Sequence, residues 1–200
     1  MPASRPRLGV LGGSFDPPHL GHLVVASEAW HALGLEAVLF VPAAAPPHKA
    51  GTARTPAALR LEMARAAVAG DPRFRVSDIE VARGLVYTCD LLAALAEGQP
   101  GRDLVFIMGA DSLLQLETWH QPERVVALAH LAVAPRQGCD PVAVAAVRER
   151  WGAGRVTLLD APLIGVSSSE VRARVAAGRP VDYLVPAAVA RLIAGHGLYR

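Results

Sequence analysis

Short apolar runs alternate along the 200-residue chain with longer segments in which apolar residues recur every three or four positions. The runs are typical of buried strands, and the longer segments of amphipathic helices. Strands are predicted at residues 8–11, 37–41, 104–108, 131–134 and 156–159, with a weaker candidate at 74–79. Helices are predicted at residues 20–33, 56–69, 88–97, 112–116, 141–150, 168–177 and 186–194. The alternation favours an α/β fold with a doubly wound, mostly parallel sheet, formed by a single domain over residues 1–200.

Certain residues mark where these elements begin and end. Thr55 followed by Pro56 predicts an N-cap with proline at the first helical position. Helices are predicted to stop at Gly34, Gly70 and Gly178. Residues 42–54 form the longest segment without periodicity, and loops of that length are usually functional or mobile. In a doubly wound sheet ligands bind outside the carboxyl ends of the strands, so functional residues are expected there.

Composition narrows the class of protein. Apolar residues make up 52% of the chain and charged residues 19%, which excludes intrinsic disorder because a disordered chain needs low hydrophobicity. A net charge of +2 argues against long nucleic acid as a partner and leaves a small anionic ligand open. Cys89 and Cys139 suit a reducing compartment. Since no apolar run reaches the roughly 18 residues of a membrane span, we expect a cytoplasmic protein without a membrane partner.

The first predicted strand runs into the segment with the clearest chemistry. Its residues are Gly12, Gly13, Ser14, Phe15, Asp16, Pro17, Pro18, His19, Leu20, Gly21 and His22. Paired glycines let the backbone approach a ligand, and free N–H groups at the start of the following helix favour an anion. Two histidines three apart share one helix face, where they can meet phosphate oxygens. The alternative is a plain strand-to-helix turn whose histidines cap the helix or form half a metal site.

A second candidate anion site lies near the end of the chain. Ser167, Ser168 and Ser169 open a predicted helix, and Arg172 follows one turn later. Serines at this position cap helices, which alone explains them. Their hydroxyl and N–H groups can equally bind phosphate oxygens, with the forked charge of Arg172 beside them.

Five further residues carry possible chemistry. Lys49, in the segment Pro46-Pro47-His48-Lys49, is the one lysine of the chain, which suggests a role that needs a compact ammonium group. Asp111 follows the strand at 104–108 and either accepts ribose hydroxyls or caps a helix. Tyr87, Thr88 and Trp119 include aromatic rings, which more often belong to a core than to a base-stacking surface.

Together these segments resemble the bacterial nicotinate-nucleotide adenylyltransferases, of the nucleotidyltransferase superfamily with a His-x-Gly-His motif. The matching segments are residues 12–22, 46–49, 83–90, 107–111, Trp119, 167–172 and 196–199. The first of them is typical of the superfamily, and the Pro-Pro-His-Lys segment, the Met-Gly-Ala-Asp turn and the tail are typical of the subfamily. The resemblance implies a Rossmann-like fold and the transfer of AMP from ATP to nicotinate mononucleotide, giving deamido-NAD and pyrophosphate.

The resemblance also implies roles for individual residues. It assigns catalysis to His19, His22, Lys49 and Arg172. It assigns ATP binding to Gly12, Gly13, Ser14, Phe15, Gly109, Asp111, Ser167 and Ser168. It assigns acceptor binding to Tyr87, Thr88, Trp119 and Arg136. Mg²⁺ would be held mainly by the phosphates of ATP and by water, with no residue as its ligand.

Two kinds of alternative remain open at this point. One is a related nucleotidyltransferase with another acceptor, such as nicotinamide mononucleotide, pantetheine phosphate or an alcohol phosphate activated with CTP. The other is a nucleotide-binding module that has lost its chemistry. A pyrophosphate-release assay with a panel of acceptors distinguishes them.

Overall fold

The computed structural model describes residues 5–44 and 55–200, which form a parallel sheet with helices on both faces. Its strands are β1 (Arg7–Gly13), β2 (Ala37–Pro42), β3 (Phe74–Val76), β4 (Asp103–Gly109), β5 (Ala129–Ala134) and β6 (Val156–Leu158). Its helices are α1 (Leu20–Leu33), α2 (Ala57–Val68), α3 (Ile79–Arg83), α4 (Thr88–Gly98), α5 (Ala110–Leu114), α6 (Pro122–Leu128), α7 (Pro141–Trp151), α8 (Ser168–Ala176) and α9 (Ala187–Gly195). A 3₁₀ turn, Leu116–Thr118, follows α5.

The strand order β3-β2-β1-β4-β5-β6 confirms the predicted doubly wound, Rossmann-like sheet. From β1 the chain builds outward to β3 and then returns to place β4 on the other side of β1, with every described pairing parallel. The order therefore reverses between β1 and β4. In open α/β sheets ligands bind in the crevice at the carboxyl ends of strands where the order reverses.

Alternating side chains of the strands fill a core on each face of the sheet. In β2, Val38 and Phe40 join one buried cluster while Leu39 and Val41 join the other, as the two-residue period of a strand requires. Because both faces are covered, most strand residues are apolar. No helix within the described ranges is both long and apolar enough to cross a membrane.

A third buried cluster attaches the C-terminal helices to α2. It consists of Met63 from α2 and of Val166, Val171, Val185, Val189 and Ile193 from the segment that contains α8 and α9. This packing holds the start of α8 close to the loop that follows β1.

The predicted elements are confirmed with four corrections. The weak strand at 74–79 ends at Val76, because Asp78 becomes the N-cap of α3. Helix α5 begins at Ala110 and ends at Leu114, whereas a helix at 112–116 was predicted. Helices α3 and α6 were not predicted. For α6 a signal existed, since Pro122 occupies the first turn and Glu123 follows it.

The fourth correction concerns Thr55, which is not the N-cap of α2. Pro56 takes that position with an extended backbone, ψ 144°, and the helix begins at Ala57. The Thr55 carbonyl instead accepts a hydrogen bond from Arg60 Nε at 3.1 Å. The predicted helix stops agree with the structure, because Gly34, Gly70 and Gly178 all have positive φ.

Candidate active site

His19 and His22 form a stacked pair at the start of α1, beside the point where the strand order reverses. Their ring centroids are 3.7 Å apart, and His19 is 4% exposed. The His19 amide donates to His22 Nδ1 at 3.1 Å, so in the neutral ring the proton lies on Nε2 of His22. His19 Nδ1 is buried without a hydrogen-bond partner among the described residues. The pair therefore has polar nitrogen atoms that the protein itself does not use.

Gly21 allows the two rings to pack at the start of the helix. A Cβ atom at this position would lie 3.1 Å from the His19 ring and 3.5 Å from a methyl group of Val166. The first distance is shorter than carbon atoms normally approach. The glycine between the histidines thus keeps space for the His19 ring and for the segment that leads into α8.

The backbone at the start of α1 offers fewer free amides than the sequence suggested. The His19 amide donates to His22, the Leu20 amide donates to the Leu184 carbonyl at 2.9 Å, and the His22 amide donates to the His19 carbonyl at 3.0 Å. The expectation of an anion site built from free N–H groups is wrong for these three. These amides are already paired, because Leu184 lies against the start of α1 and because the first turn is closed by bonds between the two histidines.

Both imidazoles are held in their neutral form. Burial, followed by the charge of Arg136, lowers the pKa of His19 from its usual 6.5 to about 4. Burial also lowers the pKa of His22 well below 6.5, and His19 and Arg136 add to that effect. At neutral pH the pair consists of uncharged N–H donors that an anionic ligand can bring toward protonation.

We expect the free energy of unfolding to fall as the pH drops from 6.5 to about 4. In that range the His19 ring takes up a proton in the unfolded chain but stays neutral in the folded chain. Falling pH therefore stabilises the unfolded state relative to the folded state. At roughly 1.4 kcal/mol per pH unit the contribution of His19 is about 3 kcal/mol. Urea titrations of wild type and His19→Gln across this range measure it. The exposed His31 supplies the control His31→Gln, and equal pH slopes for wild type and His19→Gln would contradict the assignment.

The β1–α1 loop, residues 14–19, places Phe15 beneath the histidines. Phe15 is fully buried, and its ring centroid lies 4.9 Å from that of His22 and 5.6 Å from that of Phe40. Its φ of 47° lies in the left-handed region, which is unfavourable for a residue with a side chain. Surrounding contacts must therefore hold this conformation.

Arg60 of α2 provides one of those contacts, and the sequence analysis missed it. The side chain is 3% exposed, and it donates to three carbonyls: that of Ser14 at 2.9 Å, that of Ala44 at 3.2 Å and that of Thr55 at 3.1 Å. Glu80 Oε2 accepts from the Ala44 amide at 3.2 Å, and burial raises the pKa of Glu80. Arg60 thus joins the β1–α1 loop to the end of β2 and the approach to α2.

We expect Arg60→Met to lower the free energy of unfolding by about 3 kcal/mol, because it removes charge-assisted hydrogen bonds from buried carbonyls. Chemical denaturation measures this loss. Arg65→Met is the matched control on the same helix: Arg65 is 59% exposed and lies 3.8 Å from Asp78, and exposed ion pairs contribute about 0.5 kcal/mol. Equal losses in the two variants would contradict the role of Arg60.

The start of α8 lies directly against the β1–α1 loop. Ser167 caps the helix by accepting from the Glu170 amide at 3.1 Å. Ser168 Oγ donates to the Pro17 carbonyl at 2.8 Å, and Arg172 Nη1 donates to the Asp16 carbonyl at 2.7 Å. Arg172 Nη2 also contacts Ser169 Oγ at 3.0 Å. The two candidate phosphate segments of the sequence therefore meet in one place.

The carboxyl end of β4 brings Gly109, Asp111 and Arg136 to the same edge of the sheet. Arg136 follows β5 and its Nε lies 3.9 Å from Asp111 Oδ2, with both side chains about half exposed. A Cβ atom at Gly109 would overlap the Asp111 carboxylate, so the glycine leaves room for the present position of that side chain. Arg136 was predicted to bind the acceptor, and it lies near enough to the histidine pair to affect the pKa of both rings.

A group of aromatic side chains lies at the start of α4. The Tyr87 ring stacks on His120, with centroids 4.2 Å apart, and Trp119 packs edge-on against Phe106 of β4 at 6.2 Å. Tyr87 is the N-cap residue of α4 and makes no side-chain capping bond to the amides of the first turn, which begins at Thr88. The structure thus brings together Tyr87, Thr88 and Trp119, and adds His120, which the sequence analysis did not single out.

Lys49 and the rest of residues 45–54 lie outside the described residues. Within residues 5–44 and 55–200, no group of three or more His, Cys, Asp or Glu side chains is arranged to hold a metal ion.

Comparison with known proteins agrees with this geometry. Residues 10–174 match the model of the cytidylyltransferase-like family. A protein of Thermomicrobium roseum named "Probable nicotinate-nucleotide adenylyltransferase" is 47% identical over 197 residues, covering 97% of this chain and 92% of the relative. A protein of the same name from Thermus thermophilus is 46% identical over 195 residues, covering 97% of this chain and all of the relative.

Solved structures show the same fold at low sequence identity. The nicotinic acid mononucleotide adenylyltransferase of Plasmodium falciparum, complexed with NaAD, superposes with a TM-score of 0.80 at 19% identity, covering 97% of each chain. The complex of the Plasmodium falciparum enzyme with APC gives a TM-score of 0.78 at 18% identity, again covering 97% of each chain.

The sheet order, the histidine pair and the family match show that this chain belongs to the cytidylyltransferase-like family of nucleotidyltransferases. Its nearly full-length similarity to curated relatives shows the narrower group as well. It belongs with the nicotinate-nucleotide adenylyltransferases.

Proposed function

We propose that the site between β1 and β4 carries out the reaction of a nicotinate-nucleotide adenylyltransferase. AMP passes from ATP to nicotinate mononucleotide, which gives deamido-NAD and pyrophosphate in the synthesis of NAD. The observation that carries this proposal is the neutral His19–His22 pair, 3.7 Å between centroids, at the reversal point of the strand order and beside Arg172.

The chemistry needs positioning and charge stabilisation rather than a covalent intermediate. An oxygen of the acceptor phosphate attacks the α-phosphorus of ATP, a new P–O bond forms, and the bond to the bridging oxygen breaks as pyrophosphate leaves. Two anions must be held together while negative charge develops on the oxygens around phosphorus. Donors fixed before the reaction stabilise that charge most effectively.

In this reaction His19 and His22 contact the phosphates of ATP. Both rings are neutral in the free protein, and they donate N–H groups or accept a proton as phosphate charge approaches. Gly12 and Gly13 at the end of β1 and Ser14 and Phe15 of the following loop lie beneath the nucleotide, and Asp111 after Gly109 accepts ribose hydroxyls. Lys49 adds a compact positive charge.

Pyrophosphate is held at the start of α8 by Ser167, Ser168 and Arg172. The contacts of Arg172 to Asp16 and Ser169 use two of the five N–H groups that a guanidinium carries. The other N–H groups point to no described partner and are available to phosphate oxygens. Arg172 therefore fixes the β1–α1 loop and binds the leaving group at the same time.

Mg²⁺ bound to the phosphates of ATP would neutralise part of their charge. It dehydrates reluctantly and is usually bound through substrate phosphates, water and few protein ligands. The nearby carboxylates agree with this, because Asp16 accepts a hydrogen bond from Tyr199 and Asp111 faces Arg136. We assign no residue as a metal ligand.

The acceptor binds at the aromatic group beside α4. Trp119 stacks on the pyridine ring, and amides near Tyr87 and Thr88 receive the nicotinate carboxylate. The uncapped first turn of α4 supports this placement, since helix N-termini favour anions. Arg136, between the histidine pair and Asp111, contacts the phosphate side of the acceptor.

The protein acts in the cytoplasm on small molecules. Cys89 and Cys139 are both free thiols, which suits a reducing compartment. The packing of α9 against α2 through Met63 and Ile193 also supports one domain over the full chain.

The proposal is tested by pyrophosphate release from ATP with a panel of acceptors. The panel contains nicotinate mononucleotide, nicotinamide mononucleotide and pantetheine phosphate, with CTP and an alcohol phosphate as a further pair. Nicotinate mononucleotide is expected to give the highest kcat/KM. A higher value with another acceptor would assign the chain another substrate, and ATP binding without turnover would identify a nucleotide-binding module.

A further inference from the structure

The C-terminal tail reaches the β1–α1 loop through one side chain, that of Tyr199. Its hydroxyl donates a 2.6 Å hydrogen bond to Asp16 Oδ1, although the two residues are 183 positions apart. Asp16 is 5% exposed. Burial, followed by the bond to Asp16, raises the pKa of the Tyr199 hydroxyl, so it remains a donor.

Asp16 depends on this donor. Within residues 5–44 and 55–200, Tyr199 is the one hydrogen-bond donor that contacts the Asp16 carboxylate. The carbonyl of the same residue is held by Arg172 at 2.7 Å. A buried carboxylate without a hydrogen bond is costly, so loss of the tyrosine hydroxyl favours a displacement of the loop that brings the carboxylate to water.

A displacement of the loop would change the position of His22, because Phe15 lies between Asp16 and the His22 ring. Phe15 lies next to Asp16 with a left-handed φ of 47°, and its buried ring lies 4.9 Å from the His22 ring. Its unfavourable backbone is anchored by Arg60 on the Ser14 carbonyl and by Tyr199 on Asp16. Removal of one anchor allows the backbone to relax and carries the Phe15 ring away from His22.

We propose that Tyr199 is a positioning residue for adenylyl transfer, which holds His22 in place through Asp16 and Phe15. This inference rests on the proposed function. Tyr199 itself touches no reacting group, and its ring packs against the third buried cluster. The variant Tyr199→Phe therefore keeps the packing and removes only the hydroxyl.

The test compares Tyr199→Phe with Tyr183→Phe in the full chain. Tyr183 is a matched control because it is 90% exposed, with a φ of 62° against 63° for Tyr199. We expect Tyr199→Phe to lower kcat about tenfold, since small misplacements of a catalytic group have effects of this order or larger. Both KM values should stay within about twofold, because ground-state binding is not the function of this contact. In NMR spectra of the free protein, the His22 ring signals should move in Tyr199→Phe and not in Tyr183→Phe.

A double variant separates action through Asp16 from a general weakening of the fold. In an Asp16→Ala background, Tyr199→Phe should have no further effect on kcat because its partner is absent. An additive loss would overturn the inference, as would a wild-type kcat in Tyr199→Phe or an equal loss in Tyr183→Phe.

The outcome also separates this inference from the proposed function. If wild-type protein transfers AMP and Tyr199→Phe matches it, only the positioning role fails. If wild-type protein transfers no AMP, the proposed function fails, and the NMR spectra decide the structural part of the inference, that Tyr199 holds His22 in place. A shift of the His22 signals in Tyr199→Phe alone then supports it, and unchanged signals overturn it.

Discussion

Replacement of His22 by alanine is expected to lower kcat for AMP transfer by about two orders of magnitude or more, the effect typical of losing one fixed donor to a transition state. His22 Nδ1 is occupied by the His19 amide at 3.1 Å, which leaves Nε2–H as the donor that the proposed reaction needs for an oxygen on the α-phosphorus. ATP affinity should change less than kcat, because the charge that the ring stabilises develops only during transfer. Steady-state kinetics together with ATP titration measure the two effects separately.

The control for this variant is His31→Ala. His31 lies in the last turn of α1 and is exposed, so its loss should leave kcat unchanged. A near-normal kcat in His22→Ala would remove this residue from the mechanism.

The second large effect expected is a preference for the acid over the amide form of the acceptor. We expect kcat/KM for nicotinate mononucleotide to exceed that for nicotinamide mononucleotide by at least about 10², or roughly 2.7 kcal/mol. In the proposed pocket, amide N–H groups at the start of α4 pair with a carboxylate, whereas a carboxamide turns its NH₂ group toward them and leaves these donors unpaired. Comparable rates for the two mononucleotides would refute a carboxylate-reading pocket, even if the phosphate chemistry were intact.

Trp119 supplies the matched pair of variants for that experiment. Trp119→Ala should raise KM for both mononucleotides and leave ATP unaffected, because the proposed role of the ring is to stack on either pyridine. Trp119→Phe keeps an aromatic face and should have the smaller effect. An equal effect of Trp119→Ala on ATP would place the ring elsewhere in the site.

Local sequence patterns were sufficient for the fold and for the centre of the site. Apolar periodicity predicted the alternation of strands and helices, and the three-residue spacing of His19 and His22 predicted two imidazoles on one face. Short elements were harder to predict. Helix α3 has five residues, Ile79–Arg83, with no buried side chain, so its sequence shows no helical pattern of apolar residues. Pro122 was an available signal for α6 that the alternation of long segments obscured.

Contacts between distant parts of the chain could not be predicted in the same way. Arg60 binds backbone carbonyls, and carbonyls have no sequence signature because every residue carries one. Tyr199 meets Asp16 across 183 positions, and the Leu184 carbonyl occupies the Leu20 amide. These contacts depend on how α8 and α9 pack beside β1. They explain why the candidate phosphate segments were recognisable, whereas the side chains that hold them in place were not.

The most direct test of the proposed reaction follows the α-phosphate itself. Wild-type protein is incubated with Mg²⁺, nicotinate mononucleotide and ATP carrying a radioactive α-phosphate, and the products are separated. The label is expected in deamido-NAD, with one pyrophosphate released for each dinucleotide formed, and His22→Ala should lose both signals together. Label that stays in ATP, or that appears as free AMP or ADP instead of a dinucleotide, would contradict AMP transfer to this acceptor.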